Sequence, residues 1–344
     1  MKRILKYICL FFLLYITTSL LVGHIPFLRK RSIQNQINYL TNTLHDGQDS
    51  ILQTQYPEGQ TFSNAIFALA LIEYSNKIEP NEIYLSGTID LCINNLLSAS
   101  TKSYFHENLN PNYGAFYNGW TNFCLLKYIN SSAFENSSHQ EYFSACHDSI
   151  NQLLLLAQKD SLNILESYKG ASWPADNIVC IASLGDSNKK LQLDWTKLLI
   201  ETSSIEGDLI HHYNPLPNEL RGSSQALMLH FLYGVDSILT NKMKNEFNVR
   251  LVDQFLGIQF VKEYEEDGRE ADIDSGPIIW DYGSVATIVN IKNSAKSNPI
   301  VARTTWSFLN SLGAPINLFG NKFYIFKQEP IFDIFMLWTC VSLL

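Results

Sequence analysis

The residues of this chain whose types and spacing suit chemistry gather in the stretch GREADIDSGPIIWDYGSVATIV, residues 268–289. Asp272 and Asp274 stand one residue apart, ahead of Ser-Gly-Pro and then of Trp280, Asp281 and Tyr282. A helix cap needs one carboxylate, and Pro277 suits the first turn of a helix. The second aspartate and the aromatic pair exceed that need. Two carboxylates in unlike surroundings make an acid/base pair. One, kept protonated by apolar neighbours, protonates a leaving oxygen; the other, ionised, takes a proton or activates water. Asp176 in SWPADN and Glu58 in YPEG are the other catalytic candidates. Each has a plainer role open to it, as a cap or as a partner of the helix dipole.

Aromatic and cationic side chains accompany these acids. Tyr56, Tyr113, Tyr117, Trp120, Trp173, Trp280 and Tyr282 are expected to bind a ligand by stacking or through their polar tips. Core packing is the competing role. Arg221 is expected to clamp an anion or to pair with the carboxylates. The histidines of HHYNPLP, from His211, read as part of a solvated loop. Cys9, Cys92, Cys124, Cys146, Cys180 and Cys340 are scattered, without a CxxC pair or a His/Cys cluster. That spacing signals neither a zinc site nor a disulfide framework. No metal and no cofactor is expected, calcium in the acidic loops being left open. A net charge of -8 without a basic stripe argues against a nucleic-acid partner.

Residues so far apart in sequence need an architecture that gathers them. From Ser32 onward the chain reads as helix after helix. The spans are Ser32–Leu44, Phe62–Lys77, Glu82–Ser98, Gly114–Ile129, Ser138–Gln158, Asp176–Leu184, Leu191–Ser203, Gly222–Val235, Leu239–Phe255, Pro277–Ile291, Asn298–Leu312 and Pro330–Leu344. Every second one, such as YNGWTNFCLLKYI, is apolar on nearly all sides and must be buried. The others carry a wet face. The positions leading the buried helices, Glu58, Ala115, Trp173, Gly222, Ser275 and Glu329, recur about every fifty residues. Twelve alternating helices predict an all-α (α/α)6 toroid over residues 32–344, with all six leading loops at one end.

Residues 1–31 read as a membrane anchor or a signal peptide. Lys2, Arg3 and Lys6 precede an apolar run from Tyr7 to Gly23, and Arg29, Lys30 and Arg31 follow it. The run is long enough to span once Ile4 is counted, and TSLLVG offers no clear cleavage site. The expected location is a membrane, single-pass, with the bulk of the chain outside the cytoplasm.

The alternation resembles the (α/α)6 families, which include inverting glycoside hydrolases, polysaccharide lyases and terpenoid-processing enzymes. SWPADNIVCIASLG and YGAFYNGWTNFCLLKYI resemble the linalool dehydratase/isomerase-like proteins, and ADIDSGP resembles uncharacterised membrane-anchored bacterial proteins of this fold. The dehydratase resemblance implies acid, tyrosine and cysteine side chains in an apolar cup, with Cys180 as the matching thiol. Three functions follow as expectations. The first is C–O bond cleavage in a glycan-like or small polar substrate, by hydrolysis or elimination, with Asp274, Asp176, Glu58 and Asp272 as acid/base groups. The second is dehydration of an apolar alcohol. The third is a non-enzymatic binding or scaffold role.

Overall fold

The computed structural model describes every residue except 1, 56–57, 79–83, 136, 161, 213–218, 273–274 and 326–329. Its helices are, in chain order, α1 (Lys2–His24), α2 (Pro26–His45), α3 (Gln48–Gln55), α4 (Gly59–Lys77), α5 (Tyr84–Leu97), α6 (Ala99–Lys102), α7 (Gly114–Ile129) and α8 (Gln140–Ala157). They continue with α9 (Pro174–Ser183), α10 (Lys189–Ser203), α11 (Gly222–Leu232), α12 (Ser237–Leu251), α13 (Ser284–Ser297), α14 (Pro299–Leu312) and α15 (Pro330–Ser342). The chain is mostly helical, as its periodicity predicts.

The helices apolar on all sides are the inner ones. In α4 every residue from Ser63 to Ile72 is buried, and in α7 every residue from Gly114 to Leu125. Their packing closes on itself: α4 meets α7, then α9, α11, α13 and α15, and α15 returns to α4. Helices with a wet face pack outside, α5 on α4, α8 on α7, α10 on α9, α12 on α11, α14 on α13 and α2 on α15. Local chemistry sets the boundaries. The Asp236 carboxylate accepts from the backbone of Ile238 and Leu239, 3.0 Å each, to start α12, and the Asn298 side chain accepts from Val301 to start α14.

Aromatic side chains cross the middle of the ring. Trp120 on α7 meets Phe231 on α11 at 5.3 Å between ring centroids, and His230 on α11 meets Trp338 on α15 at 5.0 Å. Phe62 on α4 touches Trp120 at 5.1 Å and Phe335 at 6.4 Å. The pairs α7–α11 and α11–α15 are not neighbours round the ring, so these contacts fill its centre.

Three short hairpins depart from the helical reading. They are β1 (Val252–Phe255) with β2 (Ile258–Val261), β3 (Ile278–Ile279) with β4 (Tyr282–Gly283), and β5 (Pro315–Leu318) with β6 (Asn321–Tyr324). The expected helix Leu239–Phe255 therefore stops at Leu251, and Val252–Phe255 becomes strand, paired with Ile258–Val261. The expected helix Pro277–Ile291 starts only at Ser284. Pro277 thus opens a hairpin and not a helix, and Trp280 and Asp281, both at positive φ, form its tight turn.

At the N-terminus, no helix is long and apolar enough, among the described residues, to cross a membrane. The second half of α1 lies against α14. Tyr15 donates to the Ser311 carbonyl at 2.7 Å, and Asn310 to the Ser19 hydroxyl at 3.0 Å. The expected boundary at residue 31 falls inside α2. Arg29, read as part of a basic flank, is buried and donates to the Gly23 carbonyl at 2.6 Å, capping the end of α1.

Candidate active site

The segments ahead of α9, α11 and α13 interlock at one end of the ring, each reaching the start of an earlier inner helix. The loop before α9 does so twice. Its Glu166 carbonyl accepts from Ala115 at the start of α7 at 2.8 Å, and its Tyr168 hydroxyl donates to the Glu58 carboxylate at 2.5 Å at the start of α4. Trp173, the residue capping α9, meets His212 from the loop before α11 at 5.1 Å between rings. Arg221, the residue capping α11, meets Glu263 and Asp272 from the segment before α13. Glu58, Tyr168, Trp173, His212, Arg221 and Asp272 thus form one connected rim.

The Arg221 site is the most strongly polarised part of that rim. Glu263 has no exposed surface. It accepts from Arg221 Nε at 3.0 Å and from the Ser223 hydroxyl at 2.6 Å. Burial raises the Glu263 pKa, against the pull of Arg221 and Ser223. Arg221 Nη2 also donates to Asp272 at 2.6 Å, and Asp272 in turn accepts from the Ser275 backbone at 2.8 Å. Partial burial would raise Asp272, but Arg221 and the Ser275 bonds outweigh it and hold the carboxyl below its ordinary value. Asp272 is therefore a fixed anion. The backbone must come very close here: the Gly222 amide donates to the Glu263 carbonyl at 2.8 Å, and a Cβ on Gly222 would stand 2.0 Å from the Lys262 carbonyl.

His212 sits beside this pair, half-buried, its Nε2 2.9 Å from the Ser224 hydroxyl in the first turn of α11. Burial, then the nearby Arg221 charge, lowers its pKa to about 4. The imidazole is neutral at physiological pH and has a ring nitrogen able to take a proton. HHYNPLP was expected to be a solvated loop; its second histidine instead packs between Trp173 and Ser224, while residues 213–218 lie outside the description.

The other expected site residues divide. Asp274 and Tyr56 lie outside the described residues. Asp176 is buried in the first turn of α9, beside Cys180, and does not cap that helix. Tyr113 is half-buried near the start of α7 and donates to Glu107 at 3.2 Å. Tyr117 is buried, its hydroxyl donating to the Leu96 carbonyl at 2.8 Å, which makes it a core tyrosine. Trp120 belongs to the aromatic centre and has no exposed surface. Trp280 is 87% exposed at a hairpin tip, far from the enclosed stacking role expected of it. Tyr282 donates to Asp253 at 2.9 Å across the hairpins. Cys180 is fully buried, donates to the Ala115 carbonyl at 3.1 Å, and burial pushes its thiol well up. That is the reverse of the exposed, low-pKa setting of a reactive thiolate.

Sequence reasoning missed Tyr168, Ser224 and Glu263. Glu263 carried a faint signal, an acidic residue two positions beyond the apolar-rich strand IQFV. No group of His, Cys, Asp and Glu side chains among the described residues could hold a metal ion. No family model matches the chain, and no curated protein matches it either.

Proposed function

We propose that the chain is an (α/α)6 toroid, anchored in a membrane by α1, whose rim cleaves a C–O bond in a glycan-like or small polar substrate. The closed order of inner-helix contacts supports the toroid reading. The exposed Tyr7, Leu10, Leu13 and Leu14 on the first half of α1 support the anchor, as do its Thr17 and Thr18 hydroxyls, which donate back to carbonyls of their own helix. The α1 helix runs antiparallel to α14, Tyr15 beside Ser311 and His24 beside Thr304, so its first half projects beyond the end of α14 that leads to the rim. An anchored chain would present the rim to the bilayer side.

The chemistry rests on one observation, the meeting of a neutral His212, a fixed Asp272 anion and the Trp173 ring at one stretch of the rim. Trp173 offers an apolar face to a sugar-like ring. In hydrolysis His212 takes a proton from the attacking water, and the hydrogen-bonded Tyr168–Glu58 pair supplies one to the departing oxygen. In elimination the base takes its proton from carbon. Asp272 and Arg221 hold the charge distribution fixed around the reacting atoms. Dehydration through Cys180 is not part of this reading, because that thiol is sealed in the core.

Turnover of a panel of aryl glycosides by the full chain in detergent tests the reading, with His212→Gln and Glu58→Gln compared with the unmodified chain. The expected loss in kcat is about 10²- to 10⁴-fold for either variant with the fold retained by circular dichroism. Equal turnover in all three chains would remove both groups from the mechanism.

A further inference from the structure

The end of the ring opposite the rim carries a different charge pattern. There the last turns of α11 and α13, with α12 beside them, enclose a concavity of about 250 Å3. Its walls include His230, Tyr233, Lys244, Lys292 and Lys296, and Lys77 and Lys127 stand close by at the ends of α4 and α7. In a chain of net charge -8, this grouping of lysines needs an explanation.

Helix C-termini attract cations, and that accounts for some of them. Lys292, 5% exposed, donates to the Trp338 carbonyl at 3.2 Å and to Glu73 at 2.7 Å. Lys77 donates to the Val341 carbonyl at 2.9 Å and pairs with Glu73 at 3.0 Å. Lys244 donates to the Asn293 carbonyl and the Ser297 hydroxyl, both at 2.7 Å. Lys127 and Lys296 are not explained in this way. Their ammonium groups lie over aromatic rings, 4.9 Å from the Phe123 centroid and 3.9 Å from the Tyr233 centroid. Neither pairs with a carboxylate among the described residues.

Glu73 is shared by Lys77 and Lys292 and also lies near Lys296 and Lys127, with Asp186 near Lys127, so the lysines there outnumber the carboxylates. The strain is visible in the lysines themselves. Burial lowers the Lys296 pKa, Glu73 partly restores it, and Lys127 and Lys77 lower it further; burial and Lys296 lower that of Lys244. An anion between them would relieve both effects. His230, kept neutral by burial and by Lys292, adds a polar group without adding charge. The room suits a compact ligand and not a polymer.

We propose that this concavity binds a small phosphate-class oxyanion, held by Lys244 and Lys296 above a floor of Lys292 and His230, with Lys127 adding positive charge from just outside it. The site is independent of the rim chemistry, since the aromatic centre of the ring lies between the two ends.

Calorimetric titration of the full chain in non-ionic detergent with inorganic pyrophosphate tests it. Saturable binding is expected, weakened about tenfold by Lys296→Met and by Lys127→Met and kept by Lys296→Arg. Neither lysine makes a side-chain hydrogen bond among the described residues, so the methionine variants are expected to stay folded. Co-sedimentation with phosphatidic-acid vesicles forms a second arm. Competition by pyrophosphate there assigns a lipid phosphate to the same lysines, and its absence leaves free oxyanion as the ligand. No saturable pyrophosphate binding up to roughly 10 mM, or binding unchanged in both methionine variants, would overturn the proposal.

Discussion

Replacing Glu73 by glutamine removes the carboxylate that Lys77 and Lys292 share, at 3.0 and 2.7 Å, where the inner helices end. Burial pushes this carboxyl up, but the two ammonium groups outweigh it and lower its pKa from 4.5 to about 2. That difference corresponds to about 3 kcal/mol in favour of the folded state near neutral pH. The figure is a ceiling, because Lys292 is itself stripped of water and burial lowers its pKa more than Glu73 restores it. A carboxyl depressed by folding contributes its stability above its unfolded pKa and loses it as the pH falls through the folded one. Urea unfolding of the full chain in detergent should show a gap between wild type and Glu73→Gln of about 2–3 kcal/mol near pH 7. The gap should narrow below 4.5 and vanish near a pH of about 2. A gap that does not change with pH, or no gap at neutrality, refutes the reasoning.

Two further outcomes follow from the same kind of accounting. Arg221→Met leaves the sealed Glu263 without its cation and should cost about 3–5 kcal/mol, while adding Glu263→Gln to that variant should recover most of the loss, read as Tm. If the double variant is no more stable than the single one, the Arg221–Glu263 pair is not what holds the start of α11. Cys180 should resist iodoacetamide at about pH 8 in the folded chain and react once the chain is denatured, followed by mass spectrometry. Rapid labelling of the native chain would contradict its burial.

Much of the ring was legible because burial on all sides is written into composition. Gly114–Ile129 is legible at both ends, since Gly114 opens and Asn130 closes a segment that is apolar on nearly all sides. The other inner helices were placed within a few residues, except α13. There the chain spells its hairpin with the wrong letters. A two-residue turn with positive φ at both positions usually carries Asn-Gly or Asp-Gly. Here the turns are Leu256-Gly257, Trp280-Asp281 and Phe319-Gly320. Large apolar residues at positive φ give no turn signal, so Ile278–Gly283 was absorbed into the helix that follows it. The site was legible only at the level of loops. That Trp173, Arg221 and Asp272 share an end follows from the repeat. That Arg221 is held by Glu263, and that His212 is half-buried beside Trp173, depends on how one loop crosses another, which no local pattern records.

The two ends of the ring differ in how their charges are resolved, and that difference separates structural charge from charge that seeks a ligand. At the rim, helix N-termini favour anions, and carboxylates are present in the expected sense. Yet Arg221, a deeply buried cation there, is matched by Glu263 and Asp272, so that cluster is satisfied by the fold itself. What remains open at the rim is a neutral imidazole and an aromatic face, which are groups for proton transfer and stacking and not for capturing an ion. At the opposite end, helix C-termini favour cations, and Lys77, Lys244 and Lys292 spend their protons on backbone carbonyls in that role. Lys127 and Lys296 come on top of it, over ring faces and near a Glu73 that Lys77 and Lys292 already share. Dipole complementarity explains one lysine per helix end; it does not explain Lys296 standing near Lys127, Lys77 and Lys244, with Glu73 shared among them, beside a space large enough to hold an anion.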